Sequence, residues 1–235
     1  MKDWTYNEFT QVGVDYSKTE KVHEYDDEME SFRDYDDEAR KFVEKLKTEN
    51  TQELIVADIG CGTGAFSIHA AKYFKKTYAV DISQEMLSLA STKAKKQEIT
   101  NIEFVNSGFL QFKPIEKIDI VHTKWAFHHL PDYWKQAALL NINKMLKLGG
   151  VFYLADVVFK FDHNYESNID LLIEDMARQH GNEFAHEVKV HIKDEYSTFD
   201  WVIQGLIERA GFEIKELNDE DILLTEYLCT KIKKH

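Results

Sequence analysis

The sequence predicts an α/β protein built on a doubly wound, seven-stranded, mostly parallel sheet with helices on both faces. Three observations lead there. From residue 54 onward, apolar runs of strand length alternate with helix-length segments. The first apolar run leads directly into a turn holding three glycines. The last two runs flank the acidic turn Asn218-Asp219-Glu220-Asp221, as in a closing hairpin.

The first strand is expected over 54–59, from Leu54-Ile55-Val56-Ala57 into Asp58-Ile59-Gly60-Cys61-Gly62-Thr63-Gly64. Glycine lacks Cβ and accepts positive φ, so such a turn lets a ligand approach bare backbone. A helix over 64–74 then points its N-terminus back at that ligand. The next strand, 77–81, ends in Asp81, 19 residues after Gly62, placed to accept hydrogen bonds from ribose hydroxyls. Helix 83–97 starts with Ser83 as its N-cap. Strands 102–106 and 118–122 follow, then helix 131–146, with Gly149-Gly150 as a stop signal, and strand 150–157. Ligands of such sheets bind at the carboxyl ends of the strands.

Beyond Phe159 the rhythm changes. Residues 165–179 read as a helix with Ile169, Leu172, Ile173 and Met176 on one face. Residues 182–196 are polar and rich in histidine, without a clear period. Ser197-Thr198-Phe199-Asp200 reads as a capping box with Asp in place of Glu, opening a helix to Ala210 that Gly211 stops. Strands 212–217 and 223–232 close the chain. Upstream, Tyr25, Met29 and Phe32 are spaced by 4 and then 3. Residues 20–47 are thus expected to form one or two amphipathic helices covering the open end of the sheet. The chain reads as a single domain, 1–235: an N-terminal helical cover (1–50), a cofactor-binding core (51–160), and helices with a closing hairpin (161–235).

Composition narrows the function classes. Of the 235 residues, 43% are hydrophobic and 13% aromatic, as in a soluble globular protein. No apolar run is long enough to cross a membrane, and the polar, acidic N-terminus lacks a signal-peptide core. The two cysteines form no disulfide framework, so a cytoplasmic protein is expected. The net charge of −13 repels phosphate backbones and argues against a nucleic-acid substrate. Residues 1–50 alone carry 15 Asp/Glu against 8 Lys/Arg, so over half of the excess sits in the cover.

Four segments, in order and spacing, resemble the class I S-adenosylmethionine-dependent methyltransferases. The turn from Asp58 to Gly64 fits that family's acid-x-Gly-x-Gly-x-Gly motif, and Asp81 fits its ribose-binding acid. Ile118 to His122 with Ala126-Phe127-His128-His129-Leu130-Pro131-Asp132 looks like the fourth strand and its loop. Lys147-Leu148-Gly149-Gly150-Val151-Phe152 looks like the approach to the fifth. The resemblance implies strand order 3-2-1-4-5-7-6 with strand 7 antiparallel, S-adenosylmethionine as cofactor, and methyl transfer by in-line displacement. In one place the sequence departs from the family. After the third strand many relatives carry an acid that holds the adenine amino group, whereas here Asn106-Ser107-Gly108-Phe109 puts Gly108 at that position. An NAD(P)-dependent oxidoreductase stays open, since Gly60, Gly62 and Ala65 also satisfy Gly-x-Gly-x-x-Gly/Ala. So does a relative that binds the cofactor without turnover.

The resemblance implies cofactor contacts from Asp58, Gly60, Cys61, Gly62, Gly64, Asp81, Ile82, Met86, Gly108, Phe109, Thr123 and Trp125. His128 and His129 are candidate general bases, because imidazole titrates near working pH. Tyr16, Tyr25, Phe127, Asp156 and Tyr165 are candidates for the acceptor pocket. His163, His180, His186 and His191 are separated by 17, 6 and 5 residues, not by ligand spacing, so no metal is expected. The partner is expected to be a small-molecule acceptor, with no nucleic acid or membrane; a homodimer is possible.

Overall fold

The computed structural model describes residues 3–10, 12, 22, 26, 33–161, 163–220 and 224–235. Tyr16, Tyr25, Met29 and Phe32 lie outside the described residues. The elements run α1 (Tyr35–Lys45), β1 (Ile55–Ile59), α2 (Ala65–Ala70), β2 (Lys76–Asp81), α3 (Gln84–Lys96), β3 (Ile102–Asn106), β4 (Ile118–Lys124) and α4 (Asp132–Met145). They continue with β5 (Leu146–Phe159), α5 (Tyr165–His180), α6 (Asn182–Asp194), β6 (Thr198–Phe199), α7 (Asp200–Arg209), β7 (Phe212–Asn218) and β8 (Leu224–Lys231).

The seven expected strands lie in the order β3-β2-β1-β4-β5-β8-β7, which is the expected 3-2-1-4-5-7-6 arrangement. β8 is the strand that runs antiparallel, pairing so with both β5 and β7. An eighth strand, the two-residue β6, pairs in parallel with the end of β5.

Side chains of the central strands alternate between two cores. Ile55, Ala57, Ile59, Phe152 and Leu154 join Leu139 and Ile142 of α4 and Ile207 of α7 on one face. Val56, Ile120, Tyr153 and Ala155 join Phe42 of α1 and Phe66 of α2 on the other. Both faces are covered, so β1 reads as an unbroken apolar run rather than an alternating one. α1 is pinned by charge as well as by packing. Arg33 grips Glu38 through two bonds of 2.8 and 2.7 Å, and Lys124 of β4 adds a third at 3.1 Å. Those cations hold the Glu38 carboxyl down at about 2 against the pull of burial.

Two local expectations are corrected. Residues 182–194 form a helix, packed through Ala185 and Val188 on Leu172 and Met176 of α5. Its apolar face is only one residue wide per turn, which hid its period. The expected capping box does not form either. Thr198 is drawn into β6, so α7 begins at Asp200 after Phe199, without a side-chain cap. By contrast Ser83 caps α3 as expected, its Oγ accepting from the Met86 amide at 3.2 Å.

Below the glycine turn lies a buried polar joint. Asp58 and His122 are register partners on β1 and β4. His122 Nδ1 and Asp58 Oδ1 are 2.9 Å apart, and Ser67 Oγ of α2 donates to Asp58 Oδ2 at 2.6 Å. The imidazole is stacked between Phe66 and Tyr153, with ring centroids at 3.8 and 5.1 Å. Replacing Asp58 by Ala strands two buried polar groups, and the expected loss is about 3 kcal/mol. Urea unfolding checks this; Asp58→Asn, which keeps an acceptor, is expected to lose roughly half as much.

Candidate cofactor cavity

The carboxyl ends of β1, β2, β3 and β4 open onto one cavity, where the fold class puts a ligand. Gly60, Gly62, Asp81, Ile82, Met86, Gly108, Phe109 and Trp125 line it, as does His129. Glu8, Thr10 and Val12 of the N-terminal segment, with Ser83, Ser107, Ala126 and Leu130, also line it and were not among the expected site residues.

The turn is tied into the sheet. The amides of Gly60 and Cys61 both donate to Val80 O, at 2.8 and 3.1 Å, and the Gly64 amide donates to Cys61 O at 2.9 Å. The Gly62 amide donates to Asp81 Oδ2 at 2.8 Å. These donors are therefore spent inside the protein, contrary to the simple expectation of bare amides facing a ligand. The glycines serve close approach instead. A Cβ on Gly60 would stand 2.3 Å from the Ala126 Cβ, and one on Gly64 would stand 2.7 Å from the Ala90 Cβ.

Asp81 also accepts from the Ser83 amide, at 2.8 Å through Oδ1. Each carboxylate oxygen keeps a second lone pair, so the group can still receive two hydroxyl donors. Burial pushes its pKa up, and the charge of Asp58 adds to that; the Ser83 and Gly62 amides oppose it. Cys61 lies outside the lining. Burial and the charges of Asp81 and Asp58 push its thiol well up, so it is not a nucleophile at neutral pH. Asp58 and Thr123 are buried beneath the cavity, and Gly64 caps α2 in a left-handed conformation.

The two adjacent histidines separate. His128 is buried, its Nδ1 2.5 Å from Asp156 Oδ1 and its Nε2 3.3 Å from Glu195 Oε2. Its backbone amide donates to Asp156 Oδ2 at 3.0 Å. Burial alone lowers the His128 pKa, but Asp156 and then Glu195 raise it by more, which favours the charged ring. His129 faces the cavity. Burial and the neighbouring His128 charge lower its pKa to about 4, so it is neutral at pH 7.

The other expected pocket residues scatter. Phe127 is buried against Phe109, with ring centroids 5.1 Å apart, and supports the cavity wall from behind. Asp156 is spent on His128 and on the Val157 amide. Tyr165 is exposed at the start of α5. Of the four separated histidines, His191 alone joins a cluster. Its Nδ1 pairs with Glu195 Oε2, its Nε2 is 2.6 Å from Ser197 Oγ, and its ring lies 4.7 Å from that of His128. The ligand atoms of His128, His191 and Glu195 lie within 4.8 Å of one another, the one such group among the described residues. No described helix is long and apolar enough to cross a membrane.

A family model described as a methyltransferase domain matches residues 50–221. An uncharacterized methyltransferase of Bacillus mycoides is 27% identical over 159 residues, covering 68% of this chain and 69% of that protein. Among solved structures, an S-adenosylmethionine-dependent methyltransferase from Clostridium acetobutylicum aligns with a TM-score of 0.68 at 16% identity, over 91% of this chain and 98% of its own. Magnesium protoporphyrin IX methyltransferase from Synechocystis, with bound SAH, aligns with a TM-score of 0.62 at 17% identity, over 95% and 91%. The structural neighbours share the fold, and the family model spans most of the sequence: the chain belongs to the methyltransferase-domain family.

Proposed function

We propose that the protein transfers a methyl group from S-adenosylmethionine to a small-molecule acceptor. One observation carries the reading: the glycine turn, the Asp81 carboxylate and the apolar pair Ile82 and Phe109 line one cavity at the strand ends. The residues present fit the cofactor. At Gly62 a Cβ would meet nothing within 4 Å, so the turn leaves open space at the cavity; Asp81 retains free lone pairs for ribose hydroxyls, and Met86 with Ile82 and Phe109 offers apolar surface to a base. When bound, the cofactor supplies a methyl already activated on a sulfonium. What remains for the chain is alignment and exclusion of water. Trp125, held at φ 57° with its amide bonded to Ala155 O at 2.9 Å, brings an aromatic ring to the cavity, where a ring face attracts a cation. His129, neutral at pH 7, can accept a hydrogen bond from a substrate, a role that His128, with both ring nitrogens engaged by Asp156 and Glu195, cannot fill.

A small acceptor is supported by the strongly acidic balance of the chain, which disfavours nucleic acid. Structural neighbours include a protoporphyrin methyltransferase and the N-methyltransferase NodS from Bradyrhizobium japonicum. Free thiols at Cys61 and Cys229 suit a reducing compartment, so the reading takes the cytoplasm as its location.

Isothermal titration with S-adenosylmethionine, S-adenosylhomocysteine and NADH in parallel tests the cofactor. Micromolar binding of the first two is expected; binding of NADH alone would overturn the proposal. Asp81→Ala is expected to weaken both by more than about tenfold and, because it strands the Gly62 and Ser83 amides, to lower the thermal midpoint without unfolding the protein. Labelled methyl donor then serves to screen acceptors.

The His129 pKa also links stability to pH. In the unfolded chain the ring takes up a proton near 6.5, in the folded protein only near 4. As pH falls through that window the unfolded state binds the proton first, so stability present above 6.5 is lost towards 4. The shift corresponds to a loss of up to about 3 kcal/mol, which solvent in the cavity reduces. His128 has the opposite sign: its contribution is complete below 6.5 and is lost as pH rises through its raised folded value. His129→Gln is therefore expected to flatten the drop in urea midpoint between pH 6.5 and 4.5, compared with wild type.

A further inference from the structure

We infer that Glu8, carried by the N-terminal segment, is the acceptor for the amino group of the purine in the cofactor cavity, in place of a side chain that position 108 does not carry. The inference rests on the adenosyl-cofactor reading above and names the residue that would give it base selectivity.

Three observations converge. Glu8 lines the same cavity as Asp81, Ile82 and Phe109 yet is only 6% exposed. Its Oε2 accepts from the Leu110 amide at 2.9 Å, across 102 residues of sequence. Its Oε1 is buried and has no hydrogen-bond partner among the described residues. A buried carboxylate oxygen without a donor carries its full desolvation cost, and such atoms call for a ligand or a function. Burial raises the Glu8 pKa, and the Leu110 and Gln111 amides oppose it.

Position 108 completes the case. A Cβ there would stand 2.3 Å from Glu8 Oε2 and 3.0 Å from Ile82 Cγ2. Glycine at 108 and the carboxylate of Glu8 thus occupy one space between them; any side chain at 108 must displace the other. Elsewhere in the segment, Tyr6 stacks on Trp134 at 6.0 Å and donates to His129 O at 3.3 Å, and Trp4 stacks on Trp134 at 6.4 Å. These contacts fix where the carboxylate arrives.

The chemistry selects the ligand class. Asp81 suits ribose hydroxyls, and Ile82 and Phe109 offer apolar surface to a flat ring. A carboxylate oxygen beside them accepts from an N–H donor and repels a carbonyl. The site therefore favours a 6-amino purine over a 6-oxo purine, because the oxo analogue faces Glu8 with an acceptor.

The test titrates S-adenosylhomocysteine and S-inosylhomocysteine, its 6-oxo counterpart, into wild type and Glu8→Gln. Gln keeps an oxygen for the Leu110 amide and adds a donor for the oxo group. Wild type is expected to prefer the adenosyl compound by about tenfold or more, and Glu8→Gln to narrow that ratio to within about threefold. A second arm moves the carboxylate: Gly108→Asp alone is expected to weaken binding through collision with Glu8, and Glu8→Ala with Gly108→Asp to recover the adenosyl preference that Glu8→Ala loses. If Glu8→Gln binds both compounds in the wild-type ratio, Glu8 merely caps the turn at Leu110 and the inference falls. If wild type binds neither compound, the cofactor reading itself fails, and the inference with it.

Discussion

The Asp58 carboxylate is the joint on which the shape of the cavity depends. It stands on β1 directly below the glycine turn and faces inward, sharing its oxygens between His122 of β4 and Ser67 of α2. That one group ties two central strands and α2 together at the level where the chain reverses. Above it, the amides of Gly60, Cys61, Gly62 and Gly64 are all consumed by protein acceptors. The turn is thus rigid before anything binds, so little ordering entropy remains to be lost on ligand entry.

A second set of buried charges divides the labour of two neighbouring histidines. Asp156, at the end of β5, takes both the Nδ1 and the backbone amide of His128. Glu195, at the end of α6, completes the enclosure from the other side. Held in this way, the His128 ring is biased towards its charged form and adds to burial, the larger cause, in keeping the cavity-facing His129 neutral. The network also gives α5 and α6 an electrostatic reason to stay docked over the sheet, beyond the modest apolar contacts of Ala185 and Val188.

Much of this was legible in the sequence. The glycine turn, Asp81 and the Ser83 cap follow from local patterns whose physics is short-range: periodicity, backbone freedom and capping; the strand order came with the family resemblance. What was hidden depends on where chain segments meet. That Asp58 points away from the cavity follows from its register with His122, and no spacing along the chain reveals register. The helix 182–194 carries too narrow an apolar face to stand out among its charges and histidines. The roles of His128 and His129 are set by Glu195 and Asp156, which arrive from distant elements. Gly108 looked like a gap in the site because its complement, Glu8, lies in a segment without any motif.

The Leu110–Glu8 bond also constrains the order of assembly. Glu8 precedes Leu110 by 102 residues, so its acceptor bond cannot form until the chain has been synthesised past Leu110 and the β3 end has settled. Loop closure over such a span comes late, after the local α/β units have formed. A nascent or refolding chain thus passes through a stage with a complete glycine turn but no carboxylate at the far side of the cavity. The segment that carries Glu8 is synthesised before the glycine turn and yet joins the pocket after it.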